Sequence, residues 1–144
     1  MKAIDTNILL YARRKESPQH QRALALLREL SEGSATWGLP WPCIAEFLRV
    51  ITHPRFYDPP SPLDRVLRDL RSLLDSPSLV ILGETDRHSE IFLEAVEKFQ
   101  VRGNLIFDAK IYALCREHGV SEFLTADRDF LQFKELKVTN PFTD

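Results

Sequence analysis

Five short apolar runs recur along the chain, separated by stretches of helical pattern, and that alternation restricts the fold more than any other feature. The runs are Ala3-Ile4, Ala35 to Leu39, Leu79 to Leu82, Glu122 to Thr125 and Leu136 to Val138. Short strands alternating with helices predict an α/β fold, a mostly parallel sheet with helices on both faces. Crossovers in such a sheet are right-handed. Four or five strands are expected, with the first near the middle. At 144 residues the chain suits a single domain, 1–144. A domain of that size buries roughly 68–70% of its unfolded surface.

The helical stretches carry their own punctuation. Ser17-Pro18 is expected to start a helix in which Ala23, Leu24, Leu27 and Leu30 recur through Glu32, with Gly33 as the stop. Pro40-Trp41-Pro42 breaks the second strand and leads into a helix from Cys43 to Thr52. Ser61-Pro62 opens another, whose apolar stripe is Leu63, Val66, Leu67, Leu70, Leu73 and Leu74. Asp86 to Gln100 is expected to be helical. Asn104 then caps a helix to His118, with Gly119 at its end, and Asp127 to Phe130 forms one more turn.

Charge and cysteine content exclude some classes. The net charge is -2, so no global positive field draws nucleic acid, and such binding needs a local basic patch. Cys43 and Cys115 match no CxxC spacing and read as buried free thiols in a reducing cytoplasm. His20, His53, His88 and His118 show no zinc-ligand spacing. No apolar run approaches the ~18 residues of a membrane span. The first residues read as a strand, so no export signal is expected.

Asp5 ends the first strand and precedes a helix carrying Ile8, Leu9, Leu10 and Tyr11. A residue there lies at the carboxyl edge of the sheet, where open α/β sheets bind ligands. Asp127 and Asp129 follow the fourth strand at the same edge. Asp108 opens a helix between large apolar neighbours, Ile106 and Phe107, which predicts partial burial. Glu46 lies in a nearly all-apolar helix. Singly, each has a structural reading as a cap or a surface residue. Together they would converge. Two unit charges ~4 Å apart repel by about 4 kcal/mol at an effective dielectric near 20. A cluster of this kind needs protonation, separation or a cation, and oxygen ligands alone select Mg²⁺ or Mn²⁺. A hard dication suits phosphodiester hydrolysis.

Asp5-Thr6-Asn7, Glu46 in its helix, Asn104-Leu105-Ile106-Phe107-Asp108-Ala109 and Thr125-Ala126-Asp127-Arg128-Asp129-Phe130 resemble the acidic motifs of a PIN domain. The length and the opening Ile4-Asp5-Thr6-Asn7-Ile8-Leu9 resemble a VapC-type ribonuclease toxin of a type II toxin–antitoxin pair. The resemblance covers essentially the whole chain. It implies a three-layer α/β/α sandwich, Mg²⁺- or Mn²⁺-dependent RNA cleavage, a homodimer and a VapB-like antitoxin. Carried over by motif, Asp5, Glu46 and Asp108 are metal-site carboxylates. The fourth is Asp127 or Asp129. Asp127 is favoured as nearer the strand end, with Asp129 capping or orienting. Thr6, Asn7 and Thr125 would hold the carboxylates in place. Lys110 and Tyr112 depart from the smaller, more aliphatic residues usual after Asp108, without removing a ligand.

RNA needs cationic contacts to phosphate. Arg13, Arg14, Arg49 and Arg55 are the candidates, with Phe56 and Tyr57 beside Arg55 as possible stacking partners for a base. An antitoxin segment is expected across the first two helices, near Leu9, Leu10, Leu24 and Leu27, placing an Arg or Lys by Asp5 and Asp108. Two other classes compete with the ribonuclease. An aspartate-dependent phosphatase usually needs an acid at position 7, where Asn7 stands. A non-catalytic PIN-type nucleic-acid-binding module would lack some of the acidic set that this chain keeps.

Overall fold

Each apolar run forms a strand. The computed structural model describes residues 1–143, and among them the strands are β1 (Lys2–Ile4), β2 (Trp37–Pro40), β3 (Leu79–Leu82), β4 (Glu122–Leu124) and β5 (Lys137–Thr139). All pair in parallel in the order β3-β2-β1-β4-β5, so the first strand is central. The helices are α1 (Thr6–Arg13), α2 (His20–Glu32), α3 (Trp41–Ile51), α4 (Leu63–Leu74), α5 (His88–Phe99) and α6 (Leu105–Glu117). A short 3-10 helix, Arg128–Gln132, follows β4.

Topology sets the layers. Strands are added outward from β1 to β3, and the chain then crosses back to β4. Right-handed crossovers in opposite directions put their helices on opposite faces. α1 packs on α2 and α3, and α5 packs on α6, as that grouping requires. The result is the expected three-layer α/β/α arrangement. Trp37, Leu39, Leu82, Ile4 and Phe123 fill the core from the sheet. The indole of Trp37 is fully buried and donates to Ser78 Oγ at 3.1 Å, which satisfies its one polar atom. Cys43 and Cys115 are buried free thiols. Among the described residues no helix is long and apolar enough to cross a membrane.

Several local expectations shift. Ser17-Pro18 makes a turn and does not cap α2. The Ser17 hydroxyl donates to Gln19 at 2.8 Å, its carbonyl accepts from the His20 amide at 3.0 Å, and the helix begins at His20. Ser61-Pro62 behaves similarly, because the Ser61 hydroxyl accepts from Arg14 at 3.1 Å and Pro62 takes the cap position. Leu63 is 57% exposed and lies outside the apolar stripe of α4. Pro40 does not break β2 but ends it, at φ -64° and ψ 137°, angles that proline adopts without strain. Asn104 stands before α6 without a side-chain capping bond. Gly119, at φ 68°, follows the end of α6 in the left-handed region that glycine enters at no steric cost.

Candidate metal centre

Asp5 closes β1 between β2 and β4, where the direction of strand addition reverses. That is the crevice position of an open α/β sheet. Its amide extends the ladder by donating to the Leu124 carbonyl at 3.0 Å. Its buried side chain caps α1, with Oδ1 accepting from the Thr6 amide at 2.7 Å. Oδ2 accepts from Thr125 Oγ1 at 2.7 Å and from Asn7 Nδ2 at 3.3 Å, and the Cys43 thiol points at Oδ1 from 3.5 Å. Burial holds the Asp5 carboxyl above its ordinary range despite these bonds.

Asn7 joins the two strand ends. Its Nδ2 donates to Thr125 Oγ1 at 3.1 Å as well as to Asp5, and its Oδ1 accepts from the Ala126 amide at 3.1 Å. Thr125 Oγ1 in turn accepts from the Asp127 amide at 2.9 Å. Thr6, Asn7 and Thr125 thus all touch Asp5.

Asp5, Glu46, Asp108 and Asp127 line one cleft of about 140 Å³, together with Thr6, Asn7, Leu10, Ile111 and Phe130. Glu46 stands on the exposed side of α3, where Thr6 Oγ1 donates to it at 3.3 Å. Asp108 lies in the first turn of α6 and is half-buried, but its neighbour Phe107 is 69% exposed. The burial comes from the cleft rather than from both flanking side chains. Asp127 caps the 3-10 helix, accepting from the Asp129 amide at 2.9 Å.

Asp108, Asp127 and Asp129 each offer an oxygen, and the three atoms lie within 4.8 Å of one another. Burial, then the charges of Asp127, Asp5, Asp129 and Glu46, push the Asp108 carboxyl up from 3.8 to about 7. Such a site is short of positive charge. Its donors are oxygens. Burial drives the Cys43 thiol well above its ordinary range, so it stays protonated and is no thiolate ligand. The histidines are engaged elsewhere. His20 Nδ1 meets the Tyr11 carbonyl at 2.9 Å, His53 Nδ1 accepts from the Arg55 amide at 3.0 Å, His88 pairs with Glu117 at 2.6 Å and His118 Nε2 meets the Gly83 carbonyl at 2.7 Å. This donor set fits a hard dication and not zinc or copper.

The expected cationic surface divides. Arg13 pairs with Asp69. Arg14 bonds Glu16 at 2.6 Å, the Pro59 carbonyl at 3.0 Å and Ser61 Oγ at 3.1 Å, and lies over the Tyr57 ring at 4.5 Å. These two arginines, expected to meet phosphate, are engaged within the chain. Arg49 is 60% exposed, with its guanidinium 3.9 Å from Glu46, and Arg55 is exposed in the loop.

Two features escape the sequence reading. Cys43 precedes Glu46 by three residues, about one helical turn, and that spacing could have flagged its contact with Asp5. The grip of Arg14 on the loop at 57–61 has no local signal, since 45 residues separate Arg14 from Pro59.

Comparison with known proteins agrees with this fold. The sequence profile of the PIN domain matches residues 2–136. Ribonuclease VapC43 of Mycobacterium tuberculosis is 33% identical over 142 residues, covering 98% of this chain and 95% of its own. Ribonuclease VapC48 of the same organism is 29% identical over 139 residues, 96% of each chain. Among solved structures, VapBC2 from Rickettsia felis, bound to a DNA fragment from its promoter, gives a TM-score of 0.70 at 17% identity over 96% of this chain and 97% of that one, a likeness of fold.

Proposed function

The chain belongs to the PIN domain family, with VapC ribonucleases among its relatives, and from that premise we propose that it is a metal-dependent endoribonuclease, the toxin of a type II toxin–antitoxin pair. The observation that carries this reading is the meeting of Asp108, Asp127 and Asp129 within 4.8 Å at a cleft also lined by Asp5 and Glu46. Asp108 and Asp127 belong to both groups and form the centre of the donor set for Mg²⁺ or Mn²⁺. Asp5 and Glu46 complete it, and Asp129 stands within reach. When bound, such an ion supplies positive charge that polarises a phosphoryl oxygen and acidifies water at neutral pH.

The chain's own residues do the positioning. Thr125, the Thr6 amide and Asn7 fix the Asp5 carboxylate, so its lone pairs keep one direction. Thr6 Oγ1 steadies Glu46. Arg49, beside the acidic cleft that would otherwise repel RNA, and the exposed Arg55 in the loop offer phosphate contacts. Asn7 replaces the second acid of an aspartate-dependent phosphatase and serves as a clamp, which weighs against that chemistry.

The partners follow from two exposed apolar surfaces. A groove of about 450 Å³ runs between α1, α2 and α4, floored by Leu9, Leu24, Leu27, Phe47, Leu70 and Leu73. It is the seat for an antitoxin segment. Leu10, expected there, lines the acidic cleft instead. A second groove of about 480 Å³ lies between α3 and α6, at Trp41, Pro42, Ala45 and Leu114, with Trp41 53% exposed. We assign it to the expected second copy of the chain, and Trp41→Glu is expected to turn a dimer into a monomer by sedimentation. An unchanged dimer would move the interface elsewhere.

The activity test uses purified protein, a mixed RNA substrate and Mg²⁺ or Mn²⁺. Cleavage is expected with the metal, with loss under EDTA and in Asp5→Asn, whose fold is retained by circular dichroism. Cleavage by Asp5→Asn at the wild-type rate, or undiminished cleavage in EDTA, overturns the reading.

A further inference from the structure

The loop between α3 and α4 turns one aromatic outward and the next inward, and holds both. The amides of Phe56 and Tyr57 donate to the His53 carbonyl at 3.1 and 3.2 Å, and the Arg55 amide donates to His53 Nδ1 at 3.0 Å. The Ser61 amide donates to the Ile51 carbonyl at 3.1 Å, which closes the loop onto α3. Arg14 grips the far side through Pro59 and Ser61, and covers the half-buried Tyr57 ring. Phe56 is left 53% exposed. Its ring meets the His53 ring edge-on with centroids 5.5 Å apart, and the Arg49 guanidinium stands 5.7 Å from its centroid. Arg49 also lies 3.9 Å from Glu46 Oε1, and Glu46 lines the acidic cleft. An exposed phenylalanine on a hydrogen-bonded loop gains nothing from core burial. Here it is linked to the cleft by one arginine.

We propose that Phe56, with Arg49 beside it, is a base-stacking subsite for single-stranded RNA, receiving a nucleotide next to the one whose phosphate enters the cleft. This rests on the ribonuclease reading above. An unpaired base offers a π-face to an aromatic ring regardless of its identity. A guanidinium beside the ring meets the accompanying phosphate and adds its own stacking plane. The alternatives on the basic surface are weaker, since Arg13 is held by Asp69 and Arg14 by bonds of 2.6, 3.0 and 3.1 Å, whereas the one ion pair of Arg49, to Glu46, is at 3.9 Å. The subsite orients the strand without touching the scissile bond, so Phe56 is a positioning residue.

The test measures binding of a short fluorescein-labelled single-stranded RNA by anisotropy in the cleavage-silent Asp108→Asn background with Mg²⁺ present. Adding Phe56→Ala is expected to weaken binding roughly 5- to 150-fold, the range found when one stacking aromatic is removed. Phe56→Trp should retain the affinity. An abasic site scanned along the RNA should weaken binding at one position, and that penalty should vanish in Phe56→Ala, because the two changes remove one contact. Melting temperature should not change, since Phe56 is exposed. Equal RNA affinity with and without Phe56, or an abasic penalty that persists in Phe56→Ala, overturns the subsite while the ribonuclease reading stands. Unchanged RNA affinity with a loss of self-association assigns Phe56 to a protein interface and also overturns it. A wild-type protein that neither binds nor cuts RNA overturns the ribonuclease reading, and the subsite with it.

Discussion

Thr125 has one hydroxyl hydrogen and gives it to Asp5, while its two lone pairs take the Asn7 side chain and the Asp127 amide. It is fully used, and it is buried. Thr125→Val keeps the shape and removes all three bonds, leaving the buried Asp5 Oδ2 with only the 3.3 Å bond from Asn7 and the Asp127 amide without its partner. A loss of about 1–3 kcal/mol is expected by urea unfolding, with Thr125→Ser close to wild type. A Val variant as stable as wild type would show that solvent replaces the bonds. Asp108 works in the opposite sense. Its carboxyl is raised from 3.8 to about 7, so the folded state holds the proton more tightly than the unfolded chain. Its contribution to stability is complete below the unfolded value and is lost as pH rises through the folded one. In EDTA, Asp108→Asn should match wild type near pH 4 and be the more stable protein at about pH 8. Equal unfolding midpoints at both pH values would mean that the charges around Asp108 do not strain the metal-free fold.

The elements that carry these residues depend on close packing at single positions. Gly38 lies in β2 between β1 and β3, and a Cβ there would meet the Leu82 side chain at 3.0, 3.1 and 3.2 Å. Leu82 is fully buried and is not a flexible chain end in open space. Alanine reduces the freedom of the unfolded chain, worth about 0.4–1 kcal/mol. Overpacking costs about 1–3 kcal/mol and should prevail. Gly38→Ala is therefore expected to lower stability, read as a smaller urea midpoint with an unchanged slope. A stabilised variant would mean that Leu82 can change rotamer at little cost. β2 runs directly into α3, which carries Cys43, Glu46 and Arg49, so a shift in this strand should also reduce activity.

At the scale of the whole molecule, two sites lie close together. The acidic cleft holds Leu10 from α1, and the apolar groove holds Leu9 from the same helix. A partner segment seated in the groove therefore has a short path to the carboxylates. An Arg supplied by that segment would pair with them bidentately and neutralise the charge that a metal ion otherwise neutralises. Metal and antitoxin should then compete, each weakening the other by the same factor. Calorimetric titration of an antitoxin peptide with and without saturating Mn²⁺ measures that factor. Equal affinities would mean that the partner acts by covering the RNA path or by altering the dimer.

The strand and helix pattern was legible because it is local. Apolar periods of two and of 3.6 residues appear within a window of a few turns, and they determine strands, helices, the parallel sheet and the placing of Asp5 and Asp127 at one edge. The acidic candidates follow from the same pattern, since strand ends and helix starts can be read one at a time. Small shifts, such as Ser17-Pro18 forming a turn, arose where a side chain found a nearer partner than the helix amides. Convergence is different. Thr125 and Asp5 are 120 residues apart, Asn7 and Ala126 are 119 apart, and no local period records such pairs. Only the tertiary structure could bring Asp129 within 4.8 Å of Asp108 and Asp127 while Asp127 also lines the cleft. It also engaged Arg14 within the chain and left Arg49 exposed beside Glu46. Sequence determines which residues reach the edge of the sheet, and the packing of α1, α3, α6 and the turn after β4 against that edge decides which of them meet.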